Sequence, residues 1–301
     1  MGTGWCARRP ERYARRVAAS RTAEYVALYR ALETAERRRE PLFRDPLARA
    51  FLSRPLRIAE RLAHIPALRV PLERYADRRA PGARSSAICR TRFIDDVVRA
   101  ETSAGAGQLV ILGAGFDCRA HRLAELGESR VFEVDRRETQ AHKRATLASR
   151  EGTRAVTYVE VDFQRDDLGE RLEASGWQRA QRTTFVWEGV SNYLTEAAVA
   201  EVLGFVGAAM AGSAIVFTYI HRGVLDGTAR FEGADLLRAN VARLGEPWTF
   251  GIDPAEVAAF VARFGLALET DLGADEYRTR YRWSAGLVGY AFYRIAVARV
   301  A

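Results

Sequence analysis

Lysine is almost absent from this chain: Lys143 stands alone among 46 lysine and arginine residues. The formal charge of +8 is therefore an arginine charge, and it reads as compositional bias more than as selection for phosphate contacts. No basic stripe studded with aromatics and no nucleic-acid module occurs, so no nucleic-acid partner is expected. The runs Arg8-Arg9, Arg37-Arg38-Arg39 and Arg78-Arg79 are interrupted by acidic and apolar residues, and each reads as a solvated helix face. Cysteine is scarce too. Cys6, Cys89 and Cys118 are an odd, widely spaced set without a C-x-x-C pair, which excludes a disulfide framework or a zinc site and leaves no metal expected. No apolar run approaches the ~18 residues of a membrane span, and Met1 to Arg9 lacks the apolar core of a signal peptide. A cytoplasmic protein with no membrane partner is expected.

What is present is concentrated between Gln108 and Asp135. The run Leu109-Val110-Ile111-Leu112 empties into Gly113-Ala114-Gly115-Phe116-Asp117, and Val131-Phe132-Glu133-Val134-Asp135 follows. This reads as strand, glycine turn, helix and a second strand ending in an acid, a nucleoside-binding unit in which the turn admits a ligand and the acid takes the ribose. A dinucleotide site uses a third glycine where this chain has Cys118. Arg119, His121 and Arg122 offer charge for a phosphate, but Asp117 at the helix entrance suits an ammonium better than a pyrophosphate. S-adenosylmethionine carries an ammonium, a sulfonium and no phosphate. Asp135 stands about 20 residues past the turn, as a ribose carboxylate should; Glu133, on the same face but deeper, competes with it.

The first hundred residues read as helical, with helices over Ser20 to Arg39, ending before Pro41, then Leu42 to Leu52 and Leu56 to Leu68, punctuated by Pro46, Pro55, Pro66 and Pro71, and Ile88 to Ala100. Then strands alternate with helices: 130–134, 155–161, 184–187 and 214–219 as strands, 139–149, 168–175 and 196–210 as helices. That order implies a mostly parallel sheet with helices on both faces and ligands at the carboxyl ends of the strands. Asp162-Phe163, Glu188-Gly189 and Tyr219 with His221 all follow strands, although a helix-capping role competes for Asp162. An irregular segment after His221, a helix over 254–264 and strands near 266–272 and 285–298 complete the pattern. The expected division is a helical cover over 1–100 and a core over 101–301 with an insertion at about 221–254.

These phrases together resemble the leucine carboxyl methyltransferase family, class I S-adenosylmethionine-dependent methyltransferases that include polyketide O-methyltransferases. The resemblance rests on Thr22-Ala23 with Arg30-Ala31, Leu42-Phe43-Arg44-Asp45-Pro46, Arg90-Thr91-Arg92-Phe93-Ile94-Asp95-Asp96, Leu112 to Asp117, Glu133-Val134-Asp135, Val161-Asp162-Phe163, Glu188-Gly189-Val190 with Tyr193-Leu194, and Glu246 to Gly251. It implies an α/β fold of the class I methyltransferase, Rossmann-like kind, with an antiparallel last strand. It also implies that Arg90 meets the methionine carboxylate, that Gly113, Ala114 and Gly115 line the cofactor, and that Asp135 holds the ribose. Asp162 and Phe163 would meet the adenine, and Glu188 the methionine part. On bare sequence, Arg90 reads equally as an ion-pair partner of Asp95 or Asp96. Cys118 stands where the family usually has threonine or serine.

Methyl transfer from a sulfonium is an in-line displacement that needs alignment in a dry pocket. A carboxylate acceptor needs no base; for a phenol, His221 is the best placed of the four histidines. Tyr193, Tyr219, Trp248 and Phe250 are candidate walls for an apolar acceptor. The expected function is an S-adenosylmethionine-dependent O-methyltransferase for a carboxylate or phenolic hydroxyl of a small molecule, in specialised metabolism. A protein C-terminal carboxyl methyltransferase, an NAD-dependent oxidoreductase and a non-catalytic cofactor-binding module are the alternatives.

Overall fold

The structure, a computed structural model, describes residues 21–148, 150, 153–281 and 290–301. Seven strands, β1 (Gln108–Leu112), β2 (Arg130–Asp135), β3 (Thr157–Glu160), β4 (Thr183–Trp187), β5 (Ala214–Ile220), β6 (Leu266–Leu272) and β7 (Tyr293–Val300), form one sheet. Their order is β3-β2-β1-β4-β5-β7-β6. The first five run parallel, and β7 inserts antiparallel between β5 and β6. Strands β1, β4 and β5 are buried along their whole length, which is why they read as continuous apolar runs instead of alternating ones. The outer strand β6 alternates in exposure and carries a register shift between Leu268 and Thr270.

Helices cover both faces. On one, α7 (Leu168–Ala174), α8 (Glu196–Gly207) and α11 (Val257–Ala262) press Leu172, Leu203 and Val261 onto Val110, Phe132, Phe185 and Phe217. On the other, α4 (Ala83–Ser103) and α12 (Ala274–Arg280) set Phe93, Ile94, Val98 and Tyr277 on Leu109, Ile111, Val186 and Val297. Alternate residues of each strand face the two layers, as the period of two requires. Ahead of α4 come α1 (Arg21–Thr34), α2 (Arg54–Leu62) and α3 (Pro66–Arg79); α5 (Arg119–Arg122), α6 (Arg137–Leu147), α9 (Gly223–Asp226) and α10 (Ala234–Arg243) complete the set. No helix among the described residues is long and apolar enough to cross a membrane.

Several expected boundaries move for identifiable reasons. Helix α1 ends at Thr34, short of Arg39, because the Glu36 carboxylate accepts from the backbone N–H groups of Arg37 and Arg38 at 2.8 Å and so competes with helix continuation. The Arg37–Arg39 run is thus not a helix face: Arg38 pairs with Glu36 and Glu73, and Arg39 with Glu33. Between Leu42 and Leu52 only a short 3-10 turn forms, at Ala48–Phe51, after Pro46 restricts the preceding residue. The segment after His221 is less irregular than its glycines suggest, since it contains α9 and α10. The start of the expected strand 285–298, and Cys6 with the Arg8-Arg9 run, lie outside the described residues.

Gly207, at the end of α8, touches the turn before β6 so closely that a Cβ there would stand 1.7 Å from the Phe264 carbonyl oxygen. That neighbour is backbone and must shift as a unit. Gly207→Ala is expected to cost about 3 kcal/mol, read as a lower urea midpoint with an unchanged slope.

Candidate functional site

All five parallel strands end at one edge of the sheet, and the chain reverses its direction of strand addition between β1 and β4. The crevice at such a reversal is where open α/β sheets bind ligands. The turn Gly113-Ala114-Gly115 leaves β1 there, and Glu188-Gly189 leaves β4 beside it. Gly113 has a φ of 66°, and a Cβ on it would lie 2.3 Å from Val190 Cγ2, so the two loops are in contact. Gly115, with φ 46°, meets nothing nearer than 3.9 Å, where the closest atoms include Ala23 Cβ of α1. Helix α1 is tied to the same turn by Arg30 Nη2, which donates to the Phe116 carbonyl at 2.5 Å.

Asp135 closes β2 with one carboxylate oxygen accepting from Gly115 N–H at 2.6 Å and the other from Arg136 N–H at 2.7 Å. Each oxygen keeps a lone pair for a further donor. Burial raises its pKa, and the two backbone donors offset part of that. Glu133 is fully buried, with Lys143 Nζ 2.6 Å from its carboxylate; burial pushes its pKa up to about 7 against that cation. The only lysine of the chain is thereby engaged inside the fold, and it also donates to the Asp117 carbonyl. Glu133 is a structural group, which leaves Asp135 as the acid at the crevice.

The charged centre of the crevice is a buried network. Arg90, on α4, donates from Nε to Glu188 at 2.8 Å, and its guanidinium carbon lies 4.7 Å from the centre of the Tyr293 ring. Its two Nη groups have no protein acceptor among the described residues. The alternative pairing with Asp95 or Asp96 does not form. Asp95 is taken by Arg119 at 2.9 Å and Arg122 at 2.6 Å, while Asp96 pairs with Arg92 and Arg99. Arg119, fully buried, also binds Glu188 at 2.8 Å and contacts the Asp117 carboxylate. Arg119 and Arg122 are therefore spent on carboxylates, not presented to a phosphate, and Asp117 is spent on Arg119. Burial alone would raise the pKa values of Asp117 and Glu188; the Arg119 charge, with Arg30 and Lys143 for the first and Arg90 for the second, outweighs it and lowers both.

The remaining candidates separate. Asp162 accepts from Gln164 N–H at 3.1 Å in its own turn, while the cap of α7 is Asp167; Phe163 is buried beside it. Tyr193 and Trp248 fall in one aromatic cluster with Phe292 and Tyr293. Tyr219 and Phe250 do not join them: both point into the layer of α8 and α11, where the Tyr219 hydroxyl bonds Asp271 at 2.9 Å and Arg294 at 3.1 Å. His221 is held with Nδ1 accepting from Gly223 N–H at 3.0 Å, which places the proton of the neutral ring on Nε2 and makes that nitrogen a donor instead of a base. Sequence reasoning missed Tyr293, and it offered Arg119 to a phosphate and Asp95 to Arg90, so it missed the network that joins Arg119 to Asp95 and Glu188. The Arg119 partners are scattered over 94 positions of chain, from Asp95 to Glu188, and no local spacing reveals them.

The network has a pH signature. Asp117 and Glu188 titrate lower in the folded chain than their ordinary values of 3.8 and 4.5, so their stabilising contribution is present above those values and lost as pH falls below them. Arg119→Met removes the shared cation, at an expected cost of about 3–5 kcal/mol at pH 7.5. Protonation then relieves the stranded acids, so the gap in melting temperature between the natural chain and the variant is expected to narrow from pH 7.5 to pH 5, measured calorimetrically in parallel.

The arrangement fits S-adenosylmethionine on its own residues: an arginine fork with open donors, an acid with open acceptors and a glycine turn without side chains, all at one crevice. Comparison with known proteins agrees. The leucine carboxyl methyltransferase family model matches residues 23–207. A relative from Frankia alni, named for S-adenosyl-L-methionine-dependent methyl transfer, is 37% identical over 214 residues, covering 70% of this chain and 71% of its own. One from Streptomyces coelicolor with the same designation is 37% identical over 211 residues, covering 68% and 70%. Among solved structures, a DUF574 family protein of Streptomyces avermitilis superimposes with a TM-score of 0.60 at 16% identity over 91% of this chain and 97% of its own, a likeness of fold alone. The chain belongs to the leucine carboxyl methyltransferase family and is an S-adenosylmethionine-dependent methyltransferase.

Proposed function

We propose that this enzyme methylates an oxygen of a small molecule, a carboxylate or a phenolic hydroxyl, in specialised metabolism. The observation that carries the reading is the junction of Arg90, Glu188 and Tyr293, where a cofactor-sized set of charges meets an aromatic wall. Bound S-adenosylmethionine supplies a methyl group on a sulfonium, an electrophile that an acceptor oxygen attacks as the carbon–sulfur bond breaks. In this reading the Arg90 Nη pair takes the methionine carboxylate in a two-pronged bond, and Glu188, kept ionised by Arg90 and Arg119, faces the ammonium. Asp135 takes the ribose hydroxyls, the Gly113-Ala114-Gly115 backbone lines the nucleoside, and Asp162 with Phe163 borders the adenine.

The acceptor side is built from Tyr193, Trp248 and Tyr293, with Phe292 behind them. Burial raises the Tyr193 pKa to about 12, so its hydroxyl stays protonated and serves as a hydrogen-bond donor. An aromatic wall with donors suits a flat acceptor bearing an anionic oxygen, for which no base is required. Residues 1–100 act as the cover in this scheme, mostly helical over the described residues 21–100, with α1 laid against the glycine turn through Ala23 and Arg30. The core spans 101–301, and residues 221–254 form its insertion.

Calorimetric titration tests the cofactor side. Arg90→Gln and Asp135→Ala are each expected to weaken S-adenosylmethionine binding by roughly 10- to 100-fold, the worth of one or two charge-assisted hydrogen bonds. NAD binding tighter than S-adenosylmethionine binding would sink the assignment of the crevice. For the acceptor, label from methyl-labelled cofactor is expected in the small-molecule fraction of an extract; label confined to protein would move the acceptor to a polypeptide carboxyl terminus.

His221 supplies a further check. Because its ring presents a donor, His221→Ala is expected to change the rate by no more than about threefold and to leave the pH profile of methyl transfer in place. Loss of the low-pH limb of that profile in the variant would restore the histidine as the base.

A further inference from the structure

Helices α2 and α3 are inverted with respect to water. Their acids Glu60, Glu73 and Asp77 are all buried: Glu60 pairs with Arg49 and His64, Glu73 with Arg69, and Asp77 with Arg84. Their outer faces carry Ile58, Leu62, Ile65, Leu68 and Tyr75, exposed by 38% to 61%. With Val70, six of the ten large apolar residues exposed among the described residues fall between 58 and 75, so the apolar surface is local, not scattered. Spacings of four and three join Ile58, Leu62 and Ile65 along α2 and its turn, and seven joins Leu68 to Tyr75 on α3.

The polar residues between them are of one sign. Arg54, Arg57, Arg61, Arg74, Arg78 and Arg79 are exposed, and none forms an ion pair with a described residue. Residues 53–79 hold seven arginines against three acids, a surplus of four, and residues 1–20 hold five against one, another four. These two segments account for the whole formal charge of +8. The surplus that composition spreads over the chain is thus gathered, in part, on a surface that also exposes hydrocarbon.

We propose that the α2–α3 face docks on an anionic lipid surface, apolar side chains entering the headgroup boundary while the arginines meet lipid phosphates and carboxylates. A second copy of this face would bring arginine against arginine, and residues 1–20 would bring more of the same charge, so neither is the occupant. Tyr75 under Arg79, whose guanidinium carbon lies 5.9 Å from the ring centre, has the amphipathic character of an interfacial residue. The expectation of no membrane partner followed from the lack of a spanning segment; a chain without one can lie on a bilayer. This docking stands apart from the cofactor crevice and does not depend on the acceptor.

Sedimentation of the full chain with vesicles tests it. Binding is expected to phosphatidylcholine vesicles containing phosphatidylglycerol and not to phosphatidylcholine alone, and to fall as salt rises. At roughly fivefold in affinity per arginine, the double variant R57E/R61E is expected to bind at least tenfold more weakly. Ile58→Ser with Ile65→Ser is expected to weaken binding severalfold while keeping the dependence on anionic lipid. All variants are exposed-site changes and should keep the melting temperature and S-adenosylmethionine binding of the natural chain. Wild-type protein that ignores the anionic vesicles, as a surface for an acidic protein would, overturns the proposal. So does R57E/R61E that sediments like the natural chain while reversal of Arg8, Arg9 and Arg12 abolishes binding.

Discussion

A single buried guanidinium holds the crevice together. Arg119 reaches Asp95 on α4, Asp117 in the turn after β1 and Glu188 at the end of β4, so three segments distant in sequence share one charge. Buried ion pairs contribute little net stability, because desolvation offsets their attraction; what they do well is penalise every arrangement in which a member is left unpaired. Here the arrangement so enforced is the posture of Glu188 and, through it, of Arg90. The guanidinium of Arg90 is held by Nε and by the face of Tyr293, and its terminal nitrogens have no acceptor among the described residues. In the proposed reading, in which Arg90 and Glu188 take a zwitterionic amino-acid tail, such fixing in advance leaves less ordering to be done when the ligand arrives.

Much of this is legible in the amino-acid sequence alone. Period and glycine placement located β1, β2, β4, β5 and β6 closely, and the glycine turn with Asp135 identified the crevice edge, because those signals are local. Pairings across the fold were not legible. Nothing near Asp117 says that its carboxylate faces inward to Arg119, and nothing near Tyr219 says that Asp271 and Arg294 will take its hydroxyl. The split of the four aromatic candidates has the same origin. Tyr219 follows Thr218 on β5, and adjacent strand residues point to opposite layers, so which of them meets a ligand depends on the sheet's orientation in the domain. The Arg37–Arg39 run shows a further limit: a short-range capture of two backbone N–H groups by Glu36 ended a helix that the apolar spacing alone would have prolonged.

The two faces of the amino-terminal half divide their labour by charge. Inward, Arg69 and Arg84 neutralise acids, and Arg69 also donates to the carbonyls of Leu32 in α1 and Ala35 just beyond it, fastening α3 to the helix that lies against the glycine turn. Outward, the same stretch of chain offers arginine and hydrocarbon. A continuous series of contacts therefore runs from α3 through α1 to the glycine turn.

The excursion after β5 has its own logic. Ile252 N–H donates to the Ile220 carbonyl at 3.0 Å, and Ile252 lies in a parallel bridge beside His221, so the chain leaves the sheet edge and comes back to where it left. Such a closed loop transmits no change of length to the strands that frame it, and its closure cost grows only with the logarithm of its size. Descendants of one ancestral enzyme can thus lengthen, shorten or exchange this segment, and with it Trp248, while the machinery that holds the methyl donor stays as it was.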